Sequence, residues 1–450
     1  MAAAERCQFW LPNKRRYCAN SPLPSSQFCG NHHSSSSALR VPCPIDPSHS
    51  VRQENLDSHV KRCPLRKQAE ALEAQPYYSE SINAGDPDEI IVSSAAKRSA
   101  IYNLSVLEFY DLVDKIRSVH SAAATALQDS YVVPEACEAW LKGQIDRRLP
   151  YQEKHVVQQA SILGNMEAFG LIGKKIEVVR ENANENSEGS DLLNGEEGAV
   201  PAVVEFGAGR GYLAQMLADC YGVKKLFLVE RRSYKLKADR SLRQNQSLVL
   251  ERLRIDIEDL NLHAVESLKG LPYLATGKHL CGPATDLTIR CCLRKQYNPR
   301  NEFPNNCYLQ GLALATCCHH LCQWKHYTNT KFLSNMGITK EEFHAMTWFS
   351  SWAVDGDHSC ELPDVEEAEK HLAVSETKEA DLEGGGIEKI IRSIPAGERA
   401  ALGFLCKEII DTGRLLWLRE QGLDARLVNY VPSNISPENH LLIAKHRFDM

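Results

Sequence analysis

The stretch "AVVEFGAGRGYLAQMLADC" (202–220) decides the fold. A short apolar run enters a turn with glycines at 207, 209 and 211, and a helix-like segment follows. Strand, Gly-rich turn and helix in that order open an α/β sheet that binds a nucleotide-like cofactor. Glycine lets the chain turn tightly and lets a ligand approach the backbone without a Cβ in the way. Further along, "KLFLVE" (225–230), "LRIDIE" (253–258), "YLATGKHL" (273–280) and "YLQGLALATCC" (308–318) read as more buried strands, with helix-like stretches between most of them. That alternation predicts a parallel sheet with helices on both faces. After an amphipathic helix, "RAALGFLCKEIIDTGRLLWLREQ" (399–421), come two last strands, "ARLVNYV" (425–431) and "HLLIAKH" (440–446). The joint "PSNISPEN" (432–439) has no room for a crossover helix, so these two are expected to pair antiparallel.

The cofactor site follows from the same stretch. Glu230 ends the second strand, where a carboxylate can bond the hydroxyls of a ribose. Asp256 ends the third, where an adenine edge would lie. A dinucleotide site usually spaces its glycines G-x-G-x-x-G. Here the spacing is G-x-G-x-G, led by Glu205. This resembles the motif of class I methyltransferases, in which the leading carboxylate lies near the methionine amine of S-adenosylmethionine. The terminal antiparallel pair resembles that fold as well. The methyltransferase reading is therefore preferred to a nicotinamide dehydrogenase, with Glu205, Gly207, Gly209, Gly211, Glu230 and Asp256 as cofactor-binding candidates.

The front of the chain has a different character. Residues 1–67 hold ten Lys/Arg against four Asp/Glu, although the 450-residue chain carries a net charge of −6. A basic head on an acidic body points to a polyanionic partner for the head. No apolar run approaches the roughly 18 residues that span a membrane. The first residues turn charged and aromatic at once, unlike a secretory leader. An intracellular soluble protein, nuclear or cytoplasmic, is expected, and its sixteen cysteines should then be metal ligands or buried thiols rather than disulfides.

"CPIDPSHSVRQENLDSHVKRC" (43–63) is spaced C-x5-H-x9-H-x3-C. His59 and Cys63 fall on one face of a helix, with Cys43 and His49 from the Pro-containing loop before it. Two thiolates and two imidazoles suit tetrahedral Zn²⁺. Arg52, Lys61, Arg62 and Arg66 are left to face phosphates. Ahead of it, Cys7, Cys18 and Cys29 with His32 or His33 form a second set of ligands. Phe9, Trp10, Tyr17 and Phe28 are expected to supply a minimal core there, with the metal supplying much of the folding energy.

Two more stretches lie where methyltransferases place substrate and catalytic groups: "GKHLCGPATDL" (277–287) after the fourth strand and "LATCCHHLC" (314–322) after the fifth. With the two Cys/His modules, they resemble the eukaryotic tRNA 2'-O-ribose methyltransferases that modify the fourth nucleotide of the acceptor stem. The resemblance runs from Cys7 to about Lys445, with a CCCH finger, a CHHC finger and a methyltransferase domain in the family's order. It implies S-adenosylmethionine as cofactor, two structural zinc ions, a tRNA acceptor stem as partner, and His32 as ligand through Cys29-x2-His32. An acceptor stem is A-form RNA with 2'-hydroxyls in a wide minor groove, so basic fingers would act as clamps that sense shape.

The expected architecture is a Rossmann-like class I methyltransferase: seven mostly parallel strands with the last antiparallel, preceded by two small zinc fingers and a helical segment. The expected divisions are fingers at 1–35 and 40–66, a helix and linker at 67–100, a helical segment at 101–180, and the methyltransferase domain at 200–450. A polar loop at 181–199 and an acidic insertion near 363–388 interrupt it. A ribose hydroxyl needs a base. His279 is the first candidate, since neutral imidazole accepts a proton near pH 7, and Lys278 and His319 are the others. Cys281, Cys317, Cys318, His319, His320 and Cys322 read as buried thiols and pocket lining rather than a third metal site. Two rival readings are a zinc-finger RNA-binding adaptor with a non-catalytic methyltransferase fold, and a protein methyltransferase. Intact Gly207, Gly209, Gly211 and Glu230 favour an active enzyme.

Overall fold

The structure is a computed structural model. It describes all residues except 1–5, 12–15, 23, 25, 30–39, 46–49, 124–126, 146–149, 174–201, 233–242, 244–246, 295–306, 356–385 and 447–450. His32, His33, His49, the polar loop at 181–199 and the acidic stretch up to 385 therefore lie outside the described residues. Two compact units divide the chain, Met1–Gln75 and Pro76–Met450. Among the described residues no helix is long and apolar enough to cross a membrane.

The first unit contains two small antiparallel ribbons, β1 (Trp10–Leu11) with β2 (Arg16–Tyr17) and β3 (Arg40–Pro42) with β4 (Ser50–Arg52). Helices α1 (Leu56–Arg62) and α2 (Pro64–Glu73) follow. Among the described residues the expected aromatic core is not buried, although Trp10 and Tyr17 meet edge to face at 5.1 Å. Phe9, Trp10 and Tyr17 are exposed, and only Phe28 packs on the buried cluster of Cys7, Cys18 and Cys29. So short a ribbon encloses little more than its three thiols.

The second unit is built on an eight-stranded sheet of order β5-β11-β12-β10-β9-β6-β7-β8. Its strands are β5 (Gln128–Asp129), β6 (Ala202–Phe206), β7 (Lys225–Val229), β8 (Val249–Leu253), β9 (Pro272–Cys281), β10 (Tyr308–Cys317), β11 (Leu423–Asn429) and β12 (His440–His446). β12 runs antiparallel to both β10 and β11, and the remaining pairs are parallel. Seven strands match the expectation from sequence. The eighth, β5, is a two-residue addition at the edge beside β11. The third strand lies earlier than "LRIDIE": it is "VLERL", and the chain then leaves the sheet in a turn capped by the Asp256 carboxylate, which accepts from the Glu258 amide.

One layer of core lies under the sheet. Ile162, Leu163 and Met166 of α6 (Pro150–Ala168) and Leu213, Met216 and Leu217 of α7 (Tyr212–Tyr221) pack with Val203, Leu228, Ala313 and Ile443. A second core is helical: Phe109 and Ile116 of α4 (Val106–Ala123), Phe343 and Phe349 of α9 (Lys340–Phe349), and Ile409 and Ile410 of α10 (Ala396–Glu420). Helices α3 (Ser94–Tyr102), α5 (Glu135–Ile145) and α8 (Pro283–Leu293) complete the labelled elements. The segment from residue 76 is not a free linker. The Asn83 amide donates to the carbonyls of Ile257 and Leu260 at 2.7 and 2.8 Å, and Val92 exchanges two hydrogen bonds with the Gln323 side chain. Helix α10 is not one-faced, because seven consecutive residues, 409–415, are buried, and Lys407, Asp411 and Arg414 are buried along with its apolar residues.

Candidate active site

Strand order reverses between β6 and β9, and open α/β sheets bind ligands at such a point, beyond the strand C-termini. A cleft of about 760 Å³ lies there, within the range of small-molecule sites. A more apolar cavity of about 320 Å³, lined by Phe109, Leu402 and Phe404 among others, has neither the glycine turn nor the strand-end carboxylates.

Five of the six cofactor candidates line the cleft, and Gly211 closes the turn behind them. Gly207, Gly209 and Gly211 all have positive φ (62°, 50° and 79°), a conformation that a side chain strains. The buried Glu205 carboxylate accepts from the Ala214 amide at 2.9 Å, tying β6 to the start of α7. Glu230 accepts from the Gly209 amide at 3.1 Å and the Arg232 amide at 2.9 Å, so its carboxylate is fixed at the rim. Asp256 pairs with Arg231 at 3.2 Å. Arg252, which the sequence did not single out, donates to the Gly209 carbonyl at 3.1 Å and steadies the same turn.

Replacing Glu230 by alanine removes charge-assisted hydrogen bonds, each of about 1.5–3 kcal/mol. The S-adenosylmethionine expected from the sequence, if it occupies this cleft, should then bind about 10- to 100-fold more weakly by calorimetry. An unchanged dissociation constant would mean that Glu230 does not hold the ligand.

On the opposite wall, β9 is interrupted at His279. Lys278 pairs with Ala315 and Leu280 with Thr316, so His279 is the extra residue of a bulge, with φ +62°. The bulge re-aims Lys278. Its Nζ lies 3.0 Å from His279 Nε2 and 3.0 Å from Nδ1 of His155 on α6. The two rings meet edge to face at 5.7 Å. Burial pushes the Lys278 pKa down to about 8. Burial, then Lys278 and His155, push His279 down to about 4, although the residue as a whole is exposed.

His319 does not belong to this site. It is buried, with Nε2 2.8 Å from Asp411, and it does not line the cleft. Cys318 adopts the left-handed conformation, and beyond it His319 is buried in a network of charges. Asp411 also receives His440 at 2.8 Å, Thr316 at 2.9 Å and Arg414 at 2.8 Å, and Arg414 reaches Asp286 at 2.5 Å. Burial alone would raise the Asp411 pKa, but His319, His440 and Arg414 hold it well below the usual range. Lys97 of α3, itself buried, holds the same turn by donating to the carbonyls of His320 and Cys322.

Each finger presents part of a ligand set. The sulfurs of Cys7, Cys18 and Cys29 lie within 4.8 Å of one another, as do the ligand atoms of Cys43, His59 and Cys63. All five thiols are buried, the condition for a closed structural site. His59 lies on α1 and Cys63 at its C-cap, with His59 Nε2 3.3 Å from Cys43 Sγ. Among the bases expected to face phosphates, Arg52 and Arg66 pair with Glu54 and Glu70, while Lys61 and Arg62 are exposed.

Sheet order, reversed last strand, glycine turn and strand-end carboxylates together define a methyltransferase of the Rossmann-like class. The family model described as Methyltransferase TRM13 matches residues 157–445. The models for the CCCH zinc finger in TRM13 protein and the U11-48K-like CHHC zinc finger match residues 5–33 and 40–64. The chain belongs to the TRM13 methyltransferase family, with both of its zinc fingers. The tRNA:m(4)X modification enzyme TRM13 of Oryza sativa subsp. japonica is 56% identical over 240 residues, covering 52% of this chain and 91% of that protein. The tRNA:m(4)X modification enzyme TRM13 homolog of Mus musculus is 30% identical over 486 residues, covering 98% and 94%. Coclaurine N-methyltransferase, a solved structure covering 74% of this chain and 97% of its own, is matched at 11% identity with a TM-score of 0.20, too weak a likeness to add to the topology.

Proposed function

We propose that the protein transfers a methyl group from S-adenosylmethionine to the ribose 2'-hydroxyl of the fourth nucleotide of a tRNA acceptor stem. The observation that carries this reading is the Lys278 amine, held between His155 and His279 on the wall of the glycine-turn cleft. The relatives' name, tRNA:m(4)X modification enzyme, supports tRNA as the substrate and position four as the target.

When bound, S-adenosylmethionine supplies a methyl group already activated by its sulfonium centre. The chain's own tasks are then alignment and proton removal. Glu230 would bond the cofactor ribose, Asp256 would face the adenine edge, and the backbone of Gly207, Gly209 and Gly211 would admit the rest, with Glu205 holding the turn in place. A neutral lysine has two N–H groups and one lone pair. With both imidazoles neutral, the two hydrogens go to His155 Nδ1 and His279 Nε2, and the lone pair is left for the ribose hydroxyl proton. Lys278 is therefore the base in this reading. His279 accepts from Lys278 and helps to position it.

The fingers are read as two Zn²⁺ sites, Cys7, Cys18, Cys29 and His32, and Cys43, His49, His59 and Cys63. Thiolate and imidazole donors fit that ion, and the exposed Lys61 and Arg62 fit a phosphate backbone. Stripping zinc with a chelator should weaken tRNA binding by about tenfold or more, because phosphate contacts dominate affinity. It should leave S-adenosylmethionine binding intact, and equal tRNA affinity afterwards would contradict a clamp. For the activity itself, cofactor with a labelled methyl is offered total tRNA or total protein. Label is expected in tRNA. Label confined to protein would favour a protein methyltransferase, and no transfer at all would favour an RNA-binding adaptor.

A further inference from the structure

The ends of β9 and β10 hold a third group of thiols that the chemistry above does not use. Cys281 and Cys317 are register partners on these parallel strands, with their sulfurs 3.6 Å apart. Cys317 and Cys318 are neighbours in sequence, and neighbours on an extended strand point to opposite faces. Here they do not. Cys318 takes φ 48° and ψ 52°, which returns its sulfur to 3.3 Å from that of Cys317. It is one of three non-glycine residues with positive φ among the described residues. Such a conformation costs of order 1–3 kcal/mol and persists where the surroundings impose it, commonly at functional sites. The vicinal pair Cys291 and Cys292, on helix α8, forms no such group.

The three sulfurs of Cys281, Cys317 and Cys318 all lie within 4.8 Å of one another, as closely grouped as the ligand atoms of each finger. A zinc–sulfur bond of about 2.3 Å places tetrahedral sulfurs about 3.8 Å apart, close to the spacings found. An all-sulfur set excludes magnesium and calcium, which take oxygen ligands. Cys281 lines the cleft, and both it and Cys318 are partly exposed.

We infer that Cys281, Cys317 and Cys318 hold one thiophilic divalent ion, of which zinc is the type, with a fourth coordination position on the cleft side for water or a substrate oxygen. Three protein ligands and one open position is the pattern of reactive rather than purely structural zinc. The ion would also lock the bulged end of β9, which carries Lys278, to the end of β10. The site stands on the thiols alone and does not depend on which substrate is methylated.

The test is metal content per full-length chain, measured by inductively coupled plasma mass spectrometry after exchange into metal-free reducing buffer. The doubly substituted chain Cys18→Ser/Cys63→Ser breaks both finger sites and leaves the cluster intact. It should retain one equivalent of zinc, and with cobalt it should show intense sulfur-to-metal charge-transfer absorption. Adding Cys281→Ser should lose that equivalent and the absorption. The proposal is overturned if the finger-deficient chain retains no metal, or if Cys281→Ser and Cys318→Ser, folded by circular dichroism, each retain it in full.

Discussion

Replacing Lys278 by alanine is expected to slow methyl transfer by about 10²- to 10⁴-fold, the range that a positioned general base contributes. S-adenosylmethionine affinity should stay near that of the unchanged protein, because Glu230 and the glycine turn lie on the other wall. The unchanged protein should also show a characteristic pH profile. Only the free amine accepts a proton, so the rate should rise with pH and level off above about 8, the value to which burial lowers this lysine. His155→Ala and His279→Ala should each cost less than Lys278→Ala, since each removes one of two partners. A Lys278→Ala chain that keeps most of its rate, or an activity flat from pH 6 to 9, would remove Lys278 from the chemistry.

The second large effect concerns stability. Arg414 is buried between Asp286 and Asp411, at 2.5 and 2.8 Å. Arg414→Met leaves Asp286 inside the protein without its cation and leaves Asp411 to His319, His440 and Thr316. Breaking a buried ion pair from one side typically costs about 3–5 kcal/mol. Urea unfolding should show a loss of that size, or the chain should fail to accumulate in soluble form. Arg414→Lys keeps the charge without the planar fork and should fall between. A loss under about 1 kcal/mol would show that water or rearrangement relieves both carboxylates.

What the sequence disclosed depended on how local the signal was. The glycine turn, its flanking strand and helix, and the closing antiparallel pair lie within short windows, and all of them formed. The third strand was displaced because "LRIDIE" alternates apolar residues, while the actual strand "VLERL" is only partly buried at the edge and looks polar. The two-residue β5 has no pattern long enough to detect. His155 lies 123 residues from Lys278 and comes from another helix, so no spacing could pair them. The polar residues His155, Gln158 and Gln159, the two glutamines buried, were the available hint. His319 was misplaced for a related reason: a left-handed residue, Cys318, turns the chain away from the cleft. The buried charges of α10 satisfy partners at 286, 319 and 440, and a helical pattern carries no trace of them.

The central claim is methylation of one ribose at one position. Its most direct measurement is partial alkaline hydrolysis of end-labelled tRNA after incubation with the protein and S-adenosylmethionine. A 2'-O-methyl group removes the hydroxyl that attacks the adjacent phosphate, so the ladder should lack the single band that reports cleavage after the fourth nucleotide. Nucleoside digestion should yield a ribose-methylated product. An uninterrupted ladder with label in a base, or a gap at another position, would contradict the account.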